Sequence, residues 1–173
     1  GMNIPGKDPG LPSLTEDDLA LLPYIASRAD MLGYSFVNRP EDVTALYAAL
    51  APLGAENLGV VLKVETQSAF ANLPAIIIEG MKRKSLGVMV ARGDLAVEVG
   101  FDRISEVQHE ILWICEAAHI PVIWATQVLD TLAKKGMATR AEISDASLGT
   151  RAECIMLNKG RHILEAIRIL GTI

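Results

Sequence analysis

The chain has 173 residues, half of them apolar and about a fifth charged, and its formal net charge is −5. That length allows one domain with a hydrophobic core, and the composition is that of a folded protein. The negative charge argues against a general nucleic-acid binder. No apolar run approaches the ~20 residues that a membrane span needs, so we expect a cytoplasmic protein with no membrane partner.

Strands and helices alternate along the predicted elements. Thr15, followed by acidic residues, predicts the N-cap of a first helix that runs to about residue 27. Apolar segments rich in β-branched residues then predict five strands, at 30–37, 58–64, 86–91, 121–125 and 154–157. The segments that follow them predict helices at 39–53, 68–83, from 102 onward, at 128–134, 142–151 and 163–170.

This alternation predicts an α/β fold with a parallel sheet whose strands are buried on both faces. Phosphate-binding glycine motifs do not follow any strand, which disfavours a nucleotide-binding open sheet. Polar residues instead gather at the carboxyl ends of strands, as on the catalytic face of a (β/α)8 barrel. They are Lys63, Glu65, Arg92, Asp94, Thr126, Gln127, Asn158 and Lys159. A closed barrel needs eight strands, and about five are predicted here.

Two of these strand ends predict a site for a metal ion and an anion. Lys63 and Glu65 are two residues apart, so a strand directs both to the same side. Asp94 should leave the next strand beside Glu65, and paired carboxylates suit Mg²⁺ or Mn²⁺. Gly93 permits a tight turn whose amide groups can bind an anion. A solvated ion pair at Lys63 and Glu65, and a turn-capping role for Asp94, remain as alternatives.

Thr126 directly follows the fourth predicted strand, and there its hydroxyl could donate to a carboxylate or phosphate oxygen; a helix N-cap is the alternative. Taken together, a lysine, a divalent ion and these donors would bind a small anion rich in oxygen. Such groups neutralise a phosphoryl group in transfer, or an enolate beside a carboxylate.

Four ordered segments resemble the barrel domain of the pyruvate kinase family. They are VVLKVET at 60–66, GVMVARGDLAVE at 87–98, PVIWATQVL at 121–129 and TRAEISD at 139–145. Residues 4–18 also resemble that family's re-entry into the barrel after its lid domain. The resemblance implies a transferase of glycolysis that converts phosphoenolpyruvate and ADP to pyruvate and ATP in the intact protein.

The resemblance also implies a role for each site residue. Lys63 and Thr126 would be catalytic, and Glu65 and Asp94 would ligate Mg²⁺ or Mn²⁺. The substrate would be bound by Ala91, Arg92, Gly93, Asp94 and Thr126. The family also uses K⁺, but the ligands for that ion lie in barrel strands that the resemblance does not find in this chain.

By the same resemblance, residues 1–173 form a single domain that supplies strands four to eight of the barrel. The lid domain and the C-terminal regulatory domain would be absent. We therefore expect a piece of a longer protein, or a chain that pairs through its open sheet edges, as a homo-oligomer or with the missing barrel half. Alone it should have little or no kinase activity.

Departures from the family pattern indicate a divergent branch, and other functions stay open beside the resemblance. Leu62 and Ala96 replace usually small residues, and Asn158-Lys159-Gly160 replaces a Ser-Gly-Glu-Thr segment. One alternative is a metal-dependent lyase or aldolase of the same barrel group, although such enzymes typically present arginine where this chain has Lys63. A non-catalytic module for anion binding or assembly is the other.

The two cysteines, Cys115 and Cys154, lie in apolar patterns and are both expected to be buried.

Overall fold

A computed structural model describes residues 12–173, in which five parallel strands form one open sheet. The strands follow one another in chain order, so each is paired with its neighbours in the sequence. Their bounds are Met31–Tyr34 (β1), Gly59–Val64 (β2), Leu86–Ala91 (β3), Val122–Val128 (β4) and Cys154–Leu157 (β5). This arrangement confirms the predicted α/β fold and is consistent with part of a (β/α)8 barrel.

The helices of this part of the chain connect successive strands or flank the sheet. They are Glu16–Ala26 (α1), Pro40–Leu50 (α2), Gln67–Ala71 (α3), Leu73–Gly80 (α4), Arg92–Val99 (α5), Ile104–Ala117 (α6), Asp130–Lys135 (α7), Arg140–Gly149 (α8) and Ile163–Leu170 (α9). A 3₁₀ turn at Ala51–Leu53 follows α2. Thr15 caps α1 as predicted, and it forms a capping box with Asp18. No helix among residues 12–173 has the length and apolar character needed to cross a bilayer.

Burial differs between the central strands and the edge strands. β2 and β3 are buried almost throughout, as predicted for a parallel sheet. β1 and β5 instead alternate, because only one of their faces packs against helices. Met31 is 66% exposed on β1 and Met156 is 40% exposed on β5. The prediction of two buried faces was therefore wrong for the edge strands.

Two helical segments differ from the prediction. The helix expected at 68–83 is divided at Asn72 into α3 and α4. Pro74 explains the division, because it has no N–H to continue the hydrogen bonding of α3, whereas proline is well tolerated in the first turn of a new helix such as α4. In the second segment, α5 begins directly after β3, where a tight turn was expected at Gly93.

The exit of β5 is attached to α7 by polar and backbone contacts. The Asn158 side-chain amide donates to Oδ1 of Asp130 at 2.7 Å, and this bond, with that from Lys134, holds the pKa of Asp130 below its usual range. A Cβ atom at Gly160 would lie 2.1 Å from the carbonyl oxygen of Ala133. Only glycine allows this approach, so the Asn158-Lys159-Gly160 segment seats the chain against α7.

The two cysteines differ in exposure. Cys115 is buried in α6, but Cys154 is exposed on β5, contrary to the prediction for it. Cys154 belongs to the face of the edge strand that the described helices leave open. Burial, together with the nearby Glu153 carboxylate, raises the pKa of Cys115 to about 12. Only Cys154 should therefore be accessible to a thiol reagent in the folded chain.

We predict that iodoacetamide modifies Cys154 rapidly in the folded chain and modifies Cys115 only after unfolding. Intact-mass spectrometry should show one added group under native conditions and two in urea. A Cys154→Ser variant is the control, and it should show no rapid phase. Rapid addition of two groups to the native chain would contradict the burial of Cys115.

Candidate functional site

The parallel register brings the carboxyl ends of neighbouring strands to one edge of the sheet. Tyr34 of β1 lies beside Leu62 of β2, and Val64 of β2 lies beside Val90 of β3. At the end of β3, Ala91 lies beside Ala125 of β4. Residues that directly follow these positions therefore leave the sheet at similar heights, which is the arrangement predicted from the sequence.

Lys63 and Glu65 meet at the end of β2. Alternation along the strand directs Leu62 and Val64 into the packed helical side, so Lys63 and Glu65 face the other way. The Lys63 ammonium nitrogen lies 2.6 Å from Oε1 of Glu65. The carboxylate is buried, with only 2% of the residue exposed, whereas the lysine side chain is 26% exposed. The ammonium group can therefore reach solvent while its partner is held inside.

Two residues that the sequence analysis missed hold this pair. The Lys63 ammonium donates to the Ser35 hydroxyl at 2.8 Å, and the Phe36 amide donates to Oε2 of Glu65 at 2.7 Å. Phe36 has a φ of 53°, a backbone conformation in which non-glycine residues are uncommon. The prediction extended the first strand through residue 37 and so hid this turn. The position of Ser35 at a strand end was the signal that could have identified it.

The exit of β3 leads directly into the first turn of α5. Arg92, Gly93 and Asp94 are its first three residues, and the opening amides of a helix have no acceptor within it. These amides and the positive end of the helix dipole favour a bound anion. Asp94 is exposed in this turn, while Ala91 behind it is buried. The first turn of a helix thus takes the place of the predicted glycine turn, with amides free in either case.

Within β4, residues 126 and 127 form a strained left-handed turn that lies against α5, where the pairing of β4 with β5 is irregular. Thr126 has a φ of 74° and Gln127 a φ of 59°, so two consecutive non-glycine residues are left-handed. A Cβ atom at Gly93 would lie 2.9 Å from Cγ2 of Thr126. Glycine at this position therefore lets the Thr126 side chain contact the first turn of α5. The structure brings Thr126 and Gly93 together, as the anion-site prediction requires.

Arg92 was expected among the substrate-binding residues. In the structure its side chain contacts other residues of the protein. Its guanidinium donates to the carbonyl oxygens of Ala125 and Thr126 and pairs with Asp145. These contacts place Arg92 beneath the Thr126 turn. A direct contact between Arg92 and substrate stays a prediction.

The residues that could bind a divalent ion are the two carboxylates Glu65 and Asp94. Residues 12–173 contain no cluster of three or more histidine, cysteine, aspartate or glutamate side chains that could enclose a metal ion. Mg²⁺ is commonly bound by only one or two carboxylates, with water and substrate oxygens completing its octahedron. A carboxylate only accepts hydrogen bonds, and it has about four acceptor positions. Glu65 uses two of them, for Lys63 and the Phe36 amide, so it retains positions that could bind a metal ion. Two carboxylates and no sulfur ligands fit Mg²⁺ or Mn²⁺.

Glu142, in the segment at 139–145, stabilises the start of α8. It accepts hydrogen bonds from the backbone amides of Thr131 and Thr139. Burial would raise the pKa of Glu142, but these hydrogen bonds lower it on balance. Its contacts give it a structural role in joining α7 to α8.

We predict that Lys63 and Glu65 stabilise the chain jointly. In a double-mutant cycle with Lys63→Met and Glu65→Gln, the free energies of unfolding should be non-additive by about 1–2 kcal/mol, because either single change leaves a charge without its partner. Urea denaturation measures all four proteins.

The exposed pair Arg103 and Glu106 is the control, with Arg103→Met and Glu106→Gln in an equivalent cycle. Both side chains are more than half exposed, so their coupling should stay below about 0.5 kcal/mol. Equal coupling in the two cycles would contradict the buried pair at β2.

Comparison with known proteins agrees with this geometry. Residues 1–162 match the family model described as pyruvate kinase, barrel domain. The chain is similar to the pyruvate kinase of Clostridium acetobutylicum, with 36% identity over all of this chain and 37% of the relative. It is also similar to those of Hypocrea jecorina, with 35% identity over 96% of this chain and 31% of the relative, and Bacillus licheniformis, with 35% identity over all of this chain and 30% of the relative.

The chain thus spans about a third of the length of the curated relatives it matches. The family match covers most of the chain and includes every strand of the sheet. Because the family model and these relatives agree, this chain belongs to the pyruvate kinase family and corresponds to part of its barrel domain.

Proposed function

We propose that this chain provides the phosphoenolpyruvate- and Mg²⁺-binding part of a pyruvate kinase active site. The observation that carries the proposal is the close pair of Lys63 and Glu65 at the end of β2. The neighbouring strand β3 leads into the first turn of α5, and Thr126 contacts Gly93 of that turn, which supports a common site. This combination of cation, carboxylates and neutral donors suits an anion that bears both a phosphate and a carboxylate.

Lys63 would act on the transferring group. Its ammonium is positioned by Ser35 and Glu65 and is partly open to solvent, so it can approach a phosphoryl oxygen. In phosphoryl transfer, charge develops on the oxygens of the group in flight and on the group that it leaves. A fixed ammonium at this position would neutralise both the phosphoryl group and the enolate oxygen.

Glu65 and Asp94 would hold the divalent ion, Mg²⁺ or Mn²⁺. When bound, the ion would supply Lewis-acid stabilisation of the substrate oxygens. The Phe36 amide orients Glu65 through Oε2, which fixes the carboxylate at the end of β2. Asp94 extends from the exposed first turn of α5, where it is accessible from solvent.

The amides near Ala91, Gly93 and Asp94, together with the Thr126 hydroxyl, would bind the substrate carboxylate. Amide groups at a helix start carry partial positive charge and give direction without the cost of burying another cation. The contact between the Thr126 side chain and Gly93, made through the Thr126 methyl group, supports this assignment. Thr126 would also lie near the path by which the enolate gains its proton.

We propose that the complete catalytic unit also requires the barrel strands that this sheet does not contain. β1 and β5 are the outer strands of the described sheet, and their exposed methionines face the side that a closed barrel would enclose. Exposed apolar residues also occur on α9, where Leu164 is 67% and Ile167 is 53% exposed. The missing barrel half, which by family resemblance holds the ADP and K⁺ sites, would cover these surfaces.

We predict that the purified chain binds oxalate, an enolate mimic, when Mg²⁺ is present. Isothermal titration calorimetry should show a loss of affinity of about tenfold or more in Lys63→Met and in Asp94→Asn, because each removes a charge from the site. Lys82→Met is the matched control, since that lysine pairs with Glu79 on an exposed helix end. Unchanged binding in both site variants would contradict the assignment.

We also predict that the isolated chain forms little or no pyruvate from phosphoenolpyruvate and ADP. The physical reason is that half of the proposed site, including the groups for ADP, would be absent. A lactate dehydrogenase-coupled assay measures the product directly. Robust pyruvate formation that is lost in Lys63→Met would show that this chain alone is sufficient.

A further inference from the structure

The guanidinium of Arg92 holds two successive carbonyl groups of the β4 exit. Nε donates to the Ala125 oxygen at 2.8 Å, and Nη2 donates to the Thr126 oxygen at 2.6 Å. These carbonyls belong to the point where the strand enters its left-handed turn. One planar cation therefore fixes the orientation of two adjacent peptide units, which a single hydrogen bond could not do.

The turn needs such support because its backbone is strained. Thr126 and Gln127 both have positive φ, and Thr126 is β-branched, a class for which this conformation is a true outlier. Each residue held in this region costs about 1–3 kcal/mol and persists only where its surroundings determine it. The hydrogen bonds from Arg92 to the carbonyl oxygens of Ala125 and Thr126 provide such surroundings at this turn.

Arg92 is itself fixed from two other directions. Nη1 pairs with Asp145 of α8, and the guanidinium carbon lies 4.3 Å from the centre of the Trp124 ring. Trp124 is fully buried, so the ring forms a rigid platform beneath the cation. The arginine side chain is only 11% exposed. Arg92 thus connects α8, the interior of β4 and the start of α5.

We propose that Arg92 is a positioning residue that acts through the backbone of Thr126. By holding the left-handed turn, it keeps the Thr126 side chain against Gly93, at the first turn of α5. This inference rests on the proposed function for its consequence in anion binding. The holding of the turn is a separate claim that can be measured without any ligand.

The first measurement uses the ligand-free chain. Backbone ¹³Cα chemical shifts report φ, so Arg92→Lys and Asp145→Asn should move the shifts of Thr126 and Gln127 toward ordinary extended values. Lysine keeps the charge but cannot hold two carbonyls at once. The shifts of β1 and β2 residues should not change, and Arg151→Met, which alters an exposed pair with Glu116, should leave the turn unchanged.

The second measurement is a double-mutant cycle on oxalate affinity in Mg²⁺. Arg92→Lys should weaken binding about tenfold when Thr126 is present and less than about twofold in a Thr126→Val background. That non-additivity distinguishes action through Thr126 from direct contact with the anion. A general loss of structure would instead weaken both backgrounds equally.

Unmoved shifts at Thr126 and Gln127 in Arg92→Lys would overturn the proposal, as would equal losses of oxalate affinity in the two backgrounds. If the unaltered chain does not bind oxalate, the proposed function fails, and the chemical shifts alone decide whether Arg92 holds the turn. Shifts that move in Arg92→Lys and Asp145→Asn but not in Arg151→Met would support it.

Discussion

The common register of β2, β3 and β4 decides which side chains can meet at the carboxyl edge of the sheet. Val64 lies beside Val90, and Ala91 lies beside Ala125, so the pairing between these three strands ends at a similar level. From these ends the chain continues to Glu65, to the first turn of α5 and to Thr126. A slip of one residue in β2 would turn Lys63 and Glu65 toward the helices, where two charges could not be accommodated. The apolar residues that alternate with them therefore fix the register.

The sequence predicted those features that depend on local periodicity. A period of two in β2 was enough to place Lys63 and Glu65 on one side, and the apolar segments located all five strands. Helix boundaries were less predictable. Pro74 divided α3 from α4, although the apolar pattern runs through both segments. In this case a missing backbone donor outweighed the periodicity of the side chains.

Features that depend on tertiary contacts could not be predicted from the sequence. The backbone of Thr126 is left-handed although the sequence has no glycine or asparagine there to indicate it. Arg92, paired with Asp145, supports this backbone from other elements of the fold. The contact of Ser35 with Lys63 joins residues on two different strand ends. Burial of Cys115 followed from its helical pattern, but exposure of Cys154 depended on β5 being an outer strand.

The departures at Leu62 and at 158–160 make packing and attachment contacts, and Leu62 does so directly before Lys63 in β2. Leu62 is fully buried among the helices, because its side chain points away from the face that carries Lys63. Asn158 and Gly160 attach the exit of β5 to α7, through Asp130 and the Ala133 carbonyl. These contacts explain how this segment ends β5 against α7. The altered segment therefore bears on the side of the pocket next to β5, while the Lys63, Glu65 and α5 side depends on contacts that the departures leave in place.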